Sequence, residues 1–134
     1  MNHRITPIAL LAPLAVAASP ASAAEISTHV LDLARGVGGR DVPVVLSKRT
    51  PAGDWKKIAS SRTDQNGRVR SFGDPKTLTP GDYRLDFDMA AYPDRAATPF
   101  FPEITVTIRV TDVGGHYHVP VVVSPYGYST YRGN

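Results

Sequence analysis

The chain has 134 residues, with fifteen Lys or Arg, twelve Asp or Glu and no cysteine. The formal net charge of +3 is small and the basic residues are scattered, which argues against nucleic acid or an anionic membrane as a partner. The lack of cysteine excludes thiol catalysis and any dependence of the fold on disulfides.

The N-terminal segment has the three-part order of a secretory signal peptide. A basic start, MNHR, precedes the apolar run ITPIALLAPLAVAA and then SPASA, with small residues at Ala21 and Ala23. The apolar run is too short to span a bilayer, and its prolines disfavour a buried helix. We therefore expect residues 1–23 to be removed and residues 24–134 to be exported to the periplasm as one domain without a membrane anchor.

The rest of the chain consists of short alternating runs separated by turns. Alternation with a period of two is typical of strands that bury one face, and the Asn-Gly pair of DQNGR favours a tight hairpin turn. The predicted strands are EISTHVLDLA, VPVVLSKR, WKKIASSRT, VRSF, DYRLDFD, FPEITVTIRVTD and HYHVPVVVS. Only MAAYPDRA, residues 89–96, has helical character, and Pro93 keeps it short.

Seven or eight short strands with one helical turn predict an all-β sandwich. The alternation also predicts the two core-facing sets of the strongest strands. The first is Tyr83, Leu85 and Phe87, and the second is Ile104, Val106, Ile108 and Val110. No repeat or linker divides the sequence after residue 23.

Histidines are the first candidates for chemistry. His116 and His118 share a face of the last strand, because residues two apart on a strand point the same way, while Tyr117 and three valines take the other face. Together with His29 they fit three interpretations. They could form a zinc site with an open fourth position, act as a general acid and base, or be surface residues without a task.

Arg68 and the C-terminus are the next candidates. A guanidinium just after a hairpin turn can bind a planar anionic group, although such an arginine is usually a solvated charge. The end of the chain, YGYSTYRGN, has three tyrosines, which predicts a packed tail that would bring Arg132 and the terminal carboxylate into a site. No G-x-S-x-G, Walker or dinucleotide motif is present in the sequence.

The sequence resembles the transthyretin-related protein family, and within that family it resembles the hydrolases. The resemblance covers nearly all of the sequence after the leader. It is carried by STHVLDLARGVGGRDVPVVL, TDQNGR, GDYRLDFDMAAYPD, FFPEITVTIRV and HYHVPVVVSPYGYSTYRGN. The closing Tyr-Arg-Gly is the most specific part, because it separates the hydrolases from the hormone carriers. The resemblance implies a sandwich of seven to eight strands with one short helix, assembled as a homotetramer whose active sites lie between dimers.

The resemblance also implies which residues act, position by position. The catalytic set would be His29, Arg68 and His118. The substrate-binding set would be Tyr131, Arg132 and Gly133. His116 would have a supporting or interface role. The family motif usually ends in serine, whereas this chain ends in Asn134, so no role for the last side chain is carried over.

The implied reaction opens the ring of 5-hydroxyisourate with water, giving 2-oxo-4-hydroxy-4-carboxy-5-ureidoimidazoline in urate degradation, without metal or cofactor. One of His29 and His118 would take a proton from water, and Arg68 would stabilise the developing negative charge. Three other functions stay open. They are a carrier of a small aromatic ligand, a zinc hydrolase that uses the three histidines, and an exported structural module with a decayed site.

Overall fold

A computed structural model describes residues 15–17, 25–73, 78–95 and 97–134. Nearly all of the predicted signal peptide and its cleavage site lie outside the described residues, so that expectation stays a prediction. Among the described residues, no helix is long and apolar enough to cross a membrane.

Within these ranges, nine strands form two sheets. Their bounds are β1 (Glu25–Asp32), β2 (Val37–Gly38), β3 (Pro43–Arg49), β4 (Trp55–Arg62), β5 (Arg68–Val69), β6 (Gly81–Asp88), β7 (Glu103–Val110), β8 (His116–Ser124) and β9 (Gly127–Thr130). The first sheet has the order β2-β1-β8-β9, with β5 also paired to β1, and the second has the order β4-β3-β6-β7. Only β1 and β8 pair in parallel among the strands described.

The core lies between the two sheets, and its residues confirm the predicted all-β alternation. Tyr83, Leu85 and Phe87 of β6 are almost fully buried. The apolar residues of β7 point the same way, and only Ile108 is partly exposed. In β8 the face of Tyr117 and the valines is also buried, which leaves the histidine face of that strand on the outside of the sandwich.

The short helix expected over residues 89–96 is not found in the described part of that segment, which forms turns. The N–H groups of Met89 and Ala90 both donate to the carbonyl of Pro102, at 2.9 and 3.0 Å. Pro93 has no N–H to continue a helical ladder. The N–H groups of Tyr92 and Arg95 donate to carbonyls only three residues back, those of Met89 and Tyr92, at 3.2 and 3.4 Å. The segment therefore forms turns, and the helix prediction is wrong for the residues described.

Truncation of a core residue tests this assignment of faces. Leu85→Ala should lower the free energy of unfolding by about 2–5 kcal/mol, because Leu85 is fully buried and its loss leaves a cavity. Thr107→Ala, on the exposed face of the neighbouring strand, should change it by less than about 0.5 kcal/mol. Chemical denaturation measures both values, and equal losses would contradict the assignment.

Candidate active site

Strand pairing brings the predicted catalytic residues to one outer face. In the register of β1 with β5, His29 lies opposite Arg68. In the parallel register of β1 with β8, Ser27 lies opposite His118. Ser27 and His29 are two residues apart and therefore point to the same side of β1, away from the core. His29, Arg68 and His118 thus belong to one polar surface, although they come from three strands.

His29 is held by the turn that leads into β5. Its Nε2 lies 2.8 Å from the backbone oxygen of Asn66. A carbonyl oxygen can only accept a hydrogen bond, so this contact assigns the ring proton of His29 to Nε2 and leaves Nδ1 with a lone pair when the ring is neutral.

The same turn is organised by a carboxylate. Asp64 Oδ1 accepts the backbone N–H groups of Arg68 at 2.9 Å and Asn66 at 2.8 Å. These bonds, with that from Arg68 contributing most, hold the pKa of Asp64 below its usual range. The Asp-x-Asn-Gly-Arg sequence therefore fixes both the acceptor for His29 and the start of the strand that carries Arg68.

A close backbone approach requires glycine beside this turn. A Cβ on Gly38 would lie 2.0 Å from the carbonyl oxygen of Asn66. Gly67 has a φ of +80°, and a Cβ there would lie 2.4 Å from the carbonyl oxygen of Val30. A side chain at either position would push the turn away from β1 and move the acceptor that orients His29.

His118 is held both at its ring and at its backbone. At the ring, Ser27 Oγ lies 2.8 Å from Nδ1. At the backbone, the N–H of Gly133 donates to the carbonyl of His118 at 2.8 Å. A Cβ on Gly133 would come within 2.5 Å of Cδ2 of the imidazole, so the tail packs directly against the ring.

The surroundings of His118 favour its neutral form. Partial burial lowers its pKa below the ordinary value of 6.5, and the charges of Arg68, His29 and His116 lower it further. A neutral imidazole near pH 7 has a lone pair that can take a proton from water. This electrostatic environment suits a general base at His118.

His116 lies at the rim of the same surface. Its Nε2 is 3.2 Å from Glu25 Oε2, and its side chain is 68% exposed. Among the described residues, no three His, Cys, Asp or Glu side chains are grouped so that they could hold a metal ion. His116 is therefore paired with a carboxylate at the rim of this surface.

Two adjoining hollows run along the surface. The first is lined by Glu25, Ser27, Arg68, Arg70, His116, His118 and Asn134. The second is lined by His29, Leu31, Asn66, Arg68 and Val122, among others. Arg68 lines both, so one guanidinium borders the hollow of His118 and the hollow of His29. An anionic planar group placed across these hollows would meet Arg68 and both histidines.

The tail only partly follows its prediction. Its backbone pairs with β8 through β9, and Gly133 reaches His118, but the side chains of Tyr126, Tyr128 and Tyr131 are 83%, 42% and 54% exposed. Tyr128 packs edge-on against Phe101, with ring centroids 5.1 Å apart. In the isolated chain the prediction of a packed tail is therefore confirmed for its backbone and for this contact, but Tyr126 and Tyr131 remain largely exposed.

In the isolated chain, Tyr131 and Arg132 do not line the two hollows that Arg68 borders. The guanidinium of Arg132 stacks over the ring of Tyr117 at 5.1 Å. Both residues line a groove against β7 that His118 also lines. Of the three predicted substrate-binding residues, Gly133 is hydrogen-bonded to His118, whereas Tyr131 and Arg132 share only this groove with it.

Ser27 and Asn66 are site residues that the sequence reasoning missed. The alternation of β1 already places Ser27 on the face of His29, which was an available signal. Its contact with His118 depends on the parallel pairing of β1 with β8, and that pairing has no local sequence signal.

The sheet order and this outer surface define a transthyretin-like β-sandwich with a polar, histidine-bearing face. The model of the HIUase/Transthyretin family matches residues 26–133. The chain therefore belongs to the HIUase/Transthyretin family.

Relatives in this family are similar over most of their length. A 5-hydroxyisourate hydrolase of Salmonella typhi is 38% identical over 130 residues, which cover 96% of this chain and 95% of that protein. The 5-hydroxyisourate hydrolase of Mus musculus is 34% identical over 111 residues, which cover 81% of this chain and 94% of that protein. These relatives place the chain among the enzymes of the family, as a hydrolase.

Solved structures agree with the fold. The 5-hydroxyisourate hydrolase of Klebsiella pneumoniae matches with a TM-score of 0.69 and 31% identity, over 82% of this chain and 99% of that one. Transthyretin from Sparus aurata matches with a TM-score of 0.76 and 27% identity, over 81% of this chain and 96% of that one. The sandwich is thus shared by enzyme and carrier, and the site must distinguish them.

A titration of His118 tests the electrostatics of the site. We expect its pKa, followed by NMR, to lie below 6.5 in the native chain. Arg68→Gln should raise it, because removal of a neighbouring positive charge makes protonation of the ring less unfavourable. Arg70→Gln is the matched control, since Arg70 lines the same hollow but is not among the charges that lower this pKa. A pKa that does not respond to Arg68→Gln would contradict this account.

Proposed function

We propose that the chain is a hydrolase that opens the ring of 5-hydroxyisourate with water. The observation that carries this proposal is the convergence of His29, Arg68 and His118 on one outer face of a transthyretin-like sandwich. Relatives named as 5-hydroxyisourate hydrolases support the substrate. The proposed product is 2-oxo-4-hydroxy-4-carboxy-5-ureidoimidazoline, and the proposed place of the reaction is urate degradation.

In the proposed mechanism, His118 is the general base. Its neutral ring takes a proton from water as the water oxygen attacks a ring carbonyl of the substrate. Arg68 binds the substrate oxygens and stabilises the negative charge that develops at the attacked carbonyl. The C–N bond of the ring then breaks, and the ring nitrogen takes the proton that His118 received from water, which returns the imidazole to its neutral form. His29, oriented by Asn66, is the proposed partner in this proton transfer.

Carriage of a small aromatic ligand is the alternative function for this fold. It is favoured by a structural neighbour, sea bream transthyretin, that was solved in complex with thyroxine. The histidine-bearing face is a poor match for an apolar ligand, because Arg68, Arg70, Glu25, His116 and His118 line one of its hollows. The free energy needed to desolvate these polar and charged groups would exceed the free energy gained by burying an apolar ligand against them.

We also propose that the working form is an exported homotetramer. The signal-peptide pattern supports a periplasmic location. The tetramer is supported by exposed aromatic side chains near the tail, where Phe100 is 65% and Tyr126 is 83% exposed, since such side chains are often covered by a partner. A neighbouring subunit would then supply the Tyr131 and Arg132 side chains, which in the isolated chain do not line the hollows that Arg68 borders.

Substitution of the histidines tests the proposed mechanism. His118→Ala and His29→Ala should each reduce turnover of 5-hydroxyisourate by at least about a hundredfold, because general acid–base assistance is typically worth about 10²–10⁴-fold. The ultraviolet absorbance of freshly generated substrate reports turnover. His116→Ala, at the rim, should cost much less, below about tenfold. Near-normal turnover in both main variants would rule out the mechanism, and no acceleration by the native protein would favour the carrier.

Truncation of the tail tests its share in the site. Removal of residues 131–134 should abolish hydrolysis while far-UV circular dichroism stays unchanged, because the strands end at Thr130. Asn134→Ala is the control, since it keeps the terminal carboxylate and the bond from Gly133 to His118. Sedimentation of the native protein completes the test. A stable monomer with full activity would contradict a site shared between subunits.

A further inference from the structure

We propose that Ser27 is a positioning residue for His118. Its hydroxyl accepts a hydrogen bond from Nδ1–H, which leaves Nε2 as the nitrogen that takes the proton from water. This inference rests on the proposed function for its kinetic consequence, but the hydrogen bond can be tested without any substrate.

The geometry of the pair is fixed by backbone pairing. Ser27 and His118 are direct partners in the parallel register of β1 with β8. Their side chains leave the sheet on the same side, and Ser27 Oγ reaches Nδ1 at 2.8 Å, a normal hydrogen-bond length. Both residues are partly buried, so water competes less for this bond than at an open surface.

The tail limits the ring from the opposite side. Cδ2 of His118 faces the backbone of Gly133, where a Cβ would lie at 2.5 Å, and no side chain fits between them. Nδ1 and Cδ2 are the two ring atoms bonded to Cγ. With Ser27 at one and Gly133 at the other, rotation of the ring is blocked. Nε2, at the far end of the ring, has no hydrogen-bond partner among the described residues.

Proton balance decides the direction of the bond in the charged state. When Nε2 takes a proton from water, the ring becomes an imidazolium that carries hydrogen on both nitrogens. Ser27 Oγ must then accept from Nδ1–H, because Nδ1 has no lone pair left. An acceptor at Nδ1 stabilises the product of proton transfer, and the water oxygen keeps the electron pair with which it attacks the carbonyl.

The positive charges around His118 disfavour its protonated ring, and a hydrogen-bond acceptor at Nδ1 would partly offset that effect. Arg68 on β5, His29 on β1 and His116 on β8 all disfavour protonation of His118. Arg70 and Glu25 lie in the same hollow, and Glu25 is paired with His116. Ser27 is the one residue among those that shift this pKa whose contribution favours the protonated ring, through its backbone. The backbone acts in the same direction that we assign to the hydroxyl.

The first test measures the ring directly. In the native protein, ¹⁵N shifts of His118 above its pKa should show hydrogen on Nδ1 and a lone pair on Nε2. Ser27→Ala should shift the tautomer balance toward Nε2–H and lower the pKa of His118 further, because the acceptor is lost. Ser27→Thr should restore both values, since it keeps the hydroxyl.

The second test measures turnover of 5-hydroxyisourate. Ser27→Ala should reduce kcat about 10- to 100-fold, the usual effect of losing a hydrogen bond to a charged group, and should change KM by less than about threefold. Ser27→Thr should recover kcat to within about threefold of the native enzyme. Ser60→Ala, an exposed serine on β4 of the other sheet, is the matched control and should behave as the native protein.

Two results would overturn the proposal. One is an Nε2–H tautomer of His118 in the native protein. The other is a Ser27→Ala variant with native kcat and unchanged ¹⁵N shifts. Failure of the proposed function is a separate result, in which the native protein does not accelerate decay of 5-hydroxyisourate although its ring shows the Nδ1–H tautomer.

Discussion

The parallel pairing of β1 with β8 is the constraint on which the rest of the site depends. It places Ser27 opposite His118. Because β1 also pairs with β5, the same strand brings Arg68 to the face that carries His118. Because side chains alternate along a strand, a register slip of one residue would exchange the inner and outer faces. His29 would then point into a core that cannot accommodate it. Burial of Ile26 and Val30 on the inner face of β1 therefore fixes Ser27 and His29 on the outer face, because side chains alternate along the strand.

The electrostatics of the surface show a compromise between two demands. The role that we propose for Arg68 is to stabilise negative charge on a substrate, yet its charge also makes His118 a weaker base by lowering its pKa. A pKa below the working pH ensures that the ring is neutral and ready to accept a proton, but it reduces the driving force for that transfer. Hydrogen bonds at the other ring nitrogen are the means by which a protein can restore part of that basicity without adding negative charge near the substrate.

Much of this architecture could be predicted from local pattern. Alternation identified seven of the nine strands described and the core faces of β6, β7 and β8, since burial of one face imposes a period of two. It missed β2 and β9. The helix expected over residues 89–96 was also wrong, because the described part of that segment is closed by turn hydrogen bonds between residues three apart. Alternation also missed the contact of Ser27 with His118. Which distant strands pair depends on the whole fold, and the sequence of neither strand alone indicates its partner. The side chains of Tyr131 and Arg132 were assigned through the resemblance, and their direction in the isolated chain was not predictable from periodicity.

The pairing partners Ser27 and His118 are separated by 91 residues. A chain with such long-range contacts folds slowly, because the entropy of closing a large loop must be lost before the contact is gained. A chain that emerges from its N-terminus first has no parallel partner for β1 until β8 has also emerged, and Gly133 follows later still. Catalytic geometry therefore forms last. If export of the protein, as we propose it, begins before the whole chain has been made, the active site first forms at the destination.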